Sequence, residues 1–236
     1  MRKLLFILCL FISSSCFAQI RIVAHTGKAG NGNTLTTTAI NDVGASIEFV
    51  QIAQYDGVTF GTLTDNLGNT WTQLRLDRVF SVVINYVYYC INPTTSSSHT
   101  FTYTKTGSFC AANVIALGNT PTSSPIDQQA GTFLASGTSF QPGSITPGQN
   151  NEIIIASIVT GNTGGAVSIN SAFTVSDAVA FGAGVNQGAV MAYLIQTSAA
   201  AVNPALTWAS SASAAGSQFS VKWTSNNGAG FFDIIY

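Results

Sequence analysis

Apolar and polar residues alternate with a period of two along most of this chain, and helical spacing is almost absent. Such runs, bounded by Gly, Asn, Asp, Pro and Ser, predict strands near 20–25, 34–40, 46–54, 59–65, 70–76, 79–91, 99–105 and 108–117. A second series follows near 140–146, 151–160, 166–170, 172–180, 187–198, 203–210 and 216–224, with a last strand in 230–235. Between the two series, NTPTSSPIDQQAGTFLASGTS (119–139) reads as a connector, because turn formers dominate it and long apolar runs are missing. The chain is therefore all-β.

The two series resemble each other at an offset of about a hundred residues. TTTAINDVGASIEFVQIAQYDG aligns with QPGSITPGQNNEIIIASIVTG, which places Glu48 on Glu152 and Gly57 on Gly161. INYVYYCINPTTSSSHTFTYT aligns with AVMAYLIQTSAAAVNPALTWA. We read half-repeats over about 34–118 and 140–225, joined by the 119–139 connector. One compact jelly-roll-like two-sheet sandwich is favoured over two small sandwiches in tandem, since neither half is rich enough in large apolar residues for two separate cores.

Composition narrows the setting. Charged residues make up 7% of the chain and hydrophobic residues 46%. The apolar positions are too abundant and too periodic for disorder. No basic patch exists, so nucleic acid is not expected as a partner. The start, MRKLLFILCLFISSSCFAQ, has a basic end, an apolar run from Leu4 to Ile12 and small residues before Gln19. It reads as a signal peptide over 1–18, cut after Ala18, and implies a secreted or cell-surface protein. A rival reading acylates Cys16, although Ser13 stands where such sites usually carry Leu. The mature chain would lose Arg2 and Lys3, leaving six basic against nine acidic residues. No later segment is long and apolar enough for a membrane helix. Two cysteines would remain, Cys90 and Cys110, each on the more apolar face of its strand. In an oxidising compartment they are expected to form a disulfide, the other reading being two buried thiols.

DNLGNTWTQL, VYYCINPTTSSSHTFTYT, SPIDQQAG, SFQPGSITPGQNNEIIIAS and AYLIQTSAAAVNPALTW together resemble a widespread group of uncharacterised secreted β-sandwich domains of bacterial surface and phage tail-fibre-like proteins. The resemblance spans about 30–225 and implies fold and location. It carries over no catalytic residues.

Candidate chemistry is sparse. TDNLGNTW (64–71) gathers Asp65, Asn66 and Asn69, which are weak metal-ligand candidates, since a calcium loop usually needs more than one carboxylate. The same residues with Gly68 suit a hairpin turn. His25 and His99 are the two histidines, and there is no HExxH, nucleophile elbow, phosphate loop or CxxC. Glu48 and Glu152 are placed in register by the repeat, with the expectation that each caps a strand in solvent. Trp71 and Tyr89 are the aromatics freest to stack on a sugar. The closing FFDIIY offers Phe231, Phe232, Ile234, Ile235 and Tyr236 for strand donation between copies. An outer-membrane barrel fits poorly, because many strands are short and Thr-rich on both faces. The sequence thus points to a secreted, non-enzymatic structural or adhesive protein, able to form homo-oligomers or filaments and needing no cofactor. A carbohydrate-binding module is the alternative and a glycan-active enzyme the third reading.

Overall fold

The structure is a computed structural model, and it describes residues 19–55, 60–106, 110–161, 167–180 and 188–224. Strands β1 (Arg21–Gly30), β2 (Thr34–Thr36), β3 (Ile47–Gln54), β4 (Thr62–Asp65), β5 (Thr72–Val79), β6 (Val83–Ile91), β7 (Phe101–Thr104) and β8 (Cys110–Gly118) form the first half. Strands β9 (Ile126–Phe140), β10 (Glu152–Thr160), β11 (Ser168–Ile169), β12 (Thr174–Ala180), β13 (Gly188–Gln196) and β14 (Leu206–Val221) form the second. No described helix is long and apolar enough to cross a membrane. The protein is an all-β sandwich.

The duplication is visible in the pairing. One large sheet has the order β1-β8-β3-β6-β5, and the other, six-stranded, runs β9-β14-β10-β13-β12 with the short β11 also paired to β14. All ladders within them are antiparallel. The isolated bridges Ile40↔His99 and Ile145↔Val202 occupy matching places in the two halves. Glu152 opens β10, and Glu48 is the second residue of the matching central strand β3.

The large sheets pack face to face, and each is covered again on its outer face. Ile47, Phe49, Ile115 and Leu117 of one sheet meet Ile153, Ile155, Phe219 and Val221 of the other. Alternation then sends Val50, Ile52, Tyr86 and Val114 outward, under the small sheet β2-β7-β4 through Leu35, Leu63, Phe101 and Tyr103. On the opposite side Ile154, Ala156 and Ile158 lie under Phe140, Ile145, Val202 and Trp208. Strands β3 and β10 are consequently buried along their whole length, which is why they read as IEFVQIAQ and EIIIASIVT rather than as clean alternation. The inter-sheet layer also holds polar groups that hydrogen-bond to one another, although Asn113 Oδ1 is left without a partner. Asn113 Nδ2 donates to Gln51 Oε1 at 2.8 Å, Gln51 Nε2 to Asn85 Oδ1 at 2.9 Å, and the Ser157 hydroxyl to Asn85 Oδ1 at 2.9 Å.

Three expectations change. The connector 119–139 is largely strand, since β9 spans Ile126–Phe140. Its alternation is weak because, among the described residues, it is an edge strand paired only with β14, and it is rich in Gly, Ser, Thr and Gln. The pieces expected at 203–210 and 216–224 are one strand, β14, whose ladder with β9 slips at Thr207/Ala212, Ala212/Ala214 and Phe219/Val221. Finally, Cys90 and Cys110 are free thiols. They do face the same side of one sheet, but Cys90 pairs opposite Glu48 and Cys110 opposite Gln54, at the two ends of β3. Those partners are six positions apart on β3, roughly 20 Å, far beyond the reach of a disulfide.

Candidate functional site

In the first half the only described group of metal-ligating residues converges beneath the small sheet: Asp42, Glu48 and His99, all buried. Glu48 is aimed there by its place at the start of β3, where alternation turns 48, 50, 52 and 54 to the outer face. His99 is held by its two-way backbone bridge with Ile40 and by its ring against Phe101, centroids 4.2 Å apart. Asp42 sits in the turn that precedes β3, where Gly44 at φ 91° reverses the chain and the Ala45 amide donates to the Asp42 carbonyl.

The geometry is tight. His99 Nδ1 lies 2.5 Å from Asp42 Oδ2 and 3.5 Å from Glu48 Oε1. On the ring's far side, His99 Nε2 lies 3.6 Å from Asp65 Oδ1. The other Asp42 oxygen accepts from the Ser96 amide at 2.6 Å. All four side chains are fully buried. Neither oxygen of Glu48, nor His99 Nε2, has a partner in hydrogen-bonding geometry. Burial pushes the Glu48 carboxyl up to about 7. Burial by itself would lower the His99 imidazole, but the Glu48 and Asp42 carboxyls outweigh it and carry His99 up to about 9.

The stretch 64–71 supplies one wall of this cluster. It is a turn, as expected, with Gly68 at φ 77°. It does not close a hairpin: β4 belongs to the small sheet and β5 to the large one, so the turn is an arch between layers. Asp65 Oδ1 accepts the Leu67 and Asn69 amides at 2.7 and 3.2 Å, and Oδ2 accepts Trp71 Nε1 at 2.8 Å. Asn66 accepts the Thr100 amide and donates to the Ser98 carbonyl. Asn69 accepts the Thr94 amide and donates to the Thr94 carbonyl. Asp65, Asn66 and Asn69 thus do not share a ligand; the two asparagines stitch the arch to the loop that presents His99, and Asp65 faces His99. Trp71 is tied to Asp65 and meets Phe101 edge-on at 5.7 Å, which leaves Tyr89 as the more open ring. Tyr89 and Ile91 line two surface clefts of about 470 and 420 Å³, the first bounded also by Asn69, Thr70 and Asn92.

Glu152 is the copy of Glu48, and it too is fully buried, so neither glutamate caps its strand in solvent. Its surroundings differ. The segments matching Asp42, Asp65 and His99, ITPGQN, VSINSAF and SAAAVNPA, carry no acid or histidine. Burial holds the Glu152 carboxyl above the usual range, with the Ser220 hydroxyl pulling the other way. A carboxyl held higher in the fold than in the unfolded chain contributes stability below its unfolded value near 4.5, and that stability is lost as pH rises through the folded value. Glu152→Gln is therefore expected to flatten the fall of unfolding free energy between pH 5 and 8. At pH 8 it should raise stability by roughly 1 kcal/mol, the scale of an unmet buried polar group. Urea denaturation at both pH values checks this, and an unchanged slope would remove burial as the cause.

The other histidine is elsewhere. His25, about half exposed, lies 3.0 Å from Asp177 and joins an edge of each large sheet. Phe231 to Tyr236 and residues 1–18 fall outside the described residues. His99 and Asp42 went unremarked as partners in the sequence. The signal available was an imbalance in a chain poor in charge: five acids and His99 fall within 34–118, against two acids and no histidine within 140–225.

No family model, curated protein or solved structure matches this chain.

Proposed function

We propose that this is a secreted, non-catalytic structural or adhesive surface protein that associates with copies of itself through the β9 edge. The observation that carries the reading is β9: fifteen residues, IDQQAGTFLASGTSF, hydrogen-bonded on one side only among the described residues. Such an edge is a ready template for another strand, and proteins that remain apart guard it with Lys, Pro or short length. Here there is one charge, Asp127, no Lys and no Pro, and Phe133 stands 61% exposed. Gly131 lets the strand lie close against β5, since a Cβ there would run into the Arg75–Asp77 ion pair. The strand thereby lies close against the sandwich at Gly131. Low overall charge supports the same reading, because little repulsion opposes contact between copies.

Light scattering coupled to size exclusion should show assemblies that grow with concentration, and Phe133→Lys should shift them to monomer over at least a tenfold range of concentration. Deleting 230–236 separates this route from donation of the terminal strand. A wild-type chain that stays monomeric throughout sinks the proposal.

A second reading is favoured by Tyr89, whose ring borders both clefts beside amide and hydroxyl groups. A glycan lying across Tyr89 would quench or shift aromatic fluorescence, and Tyr89→Ala would abolish the response. Silence on a glycan array removes this reading.

A further inference from the structure

We propose that Asp42, Glu48 and His99 form a buried site for one divalent cation of the zinc class. One imidazole and two carboxylates bring donor atoms within 4.8 Å of one another. This mixed nitrogen and oxygen set suits zinc better than calcium, which takes six to eight oxygens. Tetrahedral zinc places its donors about 3.3 Å apart. The Glu48–His99 spacing of 3.5 Å already matches, and the Asp42–His99 contact of 2.5 Å opens by less than about 1 Å as the Nδ1 proton is released for the cation.

The independent pointer is Glu48 itself. Both its oxygens are sealed from water and without a hydrogen-bond partner, and Oε1 faces the cluster with only the 3.5 Å contact to His99 Nδ1. A carboxylate left so is costly, and a cation satisfies it. The supporting shell is also in place. Ser96 N–H fixes the free oxygen of Asp42. Asp65, itself fixed by two amides and Trp71, faces His99 Nε2, as carboxylates behind metal-bound imidazoles do. Glu48 lies opposite Cys90 in the sheet, and Cys90 lines the cleft of about 470 Å³.

The inference does not depend on self-association. Its test is zinc titration of chelator-stripped full chain by calorimetry and by melting. One equivalent should bind, and Tm should rise by roughly 5–10 °C at a hundredfold excess over Kd. Asp65→Asn should weaken zinc by about 10–100-fold, and Glu48→Gln by more. Glu152→Gln, the matching buried glutamate of the other repeat, should bind like the wild type. Because the wild-type titration stands by itself, a variant that fails to fold leaves the test intact. No heat and no melting shift with zinc, a response to calcium but not zinc, or full binding by Glu48→Gln would each overturn the proposal.

Discussion

His99→Ala is expected to destabilise the fold by about 3–5 kcal/mol in chelator at pH 7, the scale for removing one partner from a buried charge cluster. Three carboxyl side chains, those of Asp42, Glu48 and Asp65, face one fully buried ring. Deleting the ring leaves them facing one another with no counter-charge and opens a hole against Phe101, whose ring His99 touches. His25→Ala is the internal comparison. That imidazole is 47% exposed beside Asp177, so solvent screens the pair and the loss should stay below about 1 kcal/mol. Chemical denaturation of the two variants gives both numbers. Equal, small losses would mean that the buried cluster is not held together by its histidine.

Phe49→Ala carries the second large effect, about 3–5 kcal/mol for emptying a fully buried aromatic site. Phe49 belongs to β3 of the first half, and its ring lies 4.7 Å from that of Phe219 on β14 of the second. The pair sits in the layer where the two large sheets meet. The outcome therefore tests the architecture as well as the residue. Since one core spans both halves, Phe49→Ala should lower a single cooperative transition. Two independent sandwiches would instead give two transitions, only one of them moved. Phe219→Ala should cost a similar amount, and the double variant less than the sum of the two, because the rings share one contact.

The sequence was most legible where periodicity was strong. Strands β3, β6, β8, β10 and β13 fall where alternating or continuous apolar runs predict them. It was least legible at β9, whose apolar positions need to face only one side and whose Gly and Ser residues imitate a loop. The arch at 64–71 shows a different limit. Asp65, Asn66, Gly68 and Asn69 specify a tight reversal through local chemistry. Whether the strands on either side pair with each other or enter different sheets depends on distant partners: β7 captures β4, and β6 captures β5. Cysteine placement shows the same limit. Alternation put Cys90 and Cys110 on one face, but only the register against β3 separates them by the length of a strand.

By itself, then, the sequence determined an all-β sandwich, its internal duplication and the equivalence of Glu48 with Glu152, since all three follow from short-range periodicity and its recurrence. The tertiary structure alone decided that both glutamates are buried, that His99 joins Asp42 and Glu48 across 57 and 51 residues of chain, and that among the described residues β9 pairs on one side only. Those outcomes rest on which faces are covered and which strands are neighbours. Period-two alternation separates one face of a strand from the other, but what comes to lie on that face is set by residues far away in the chain.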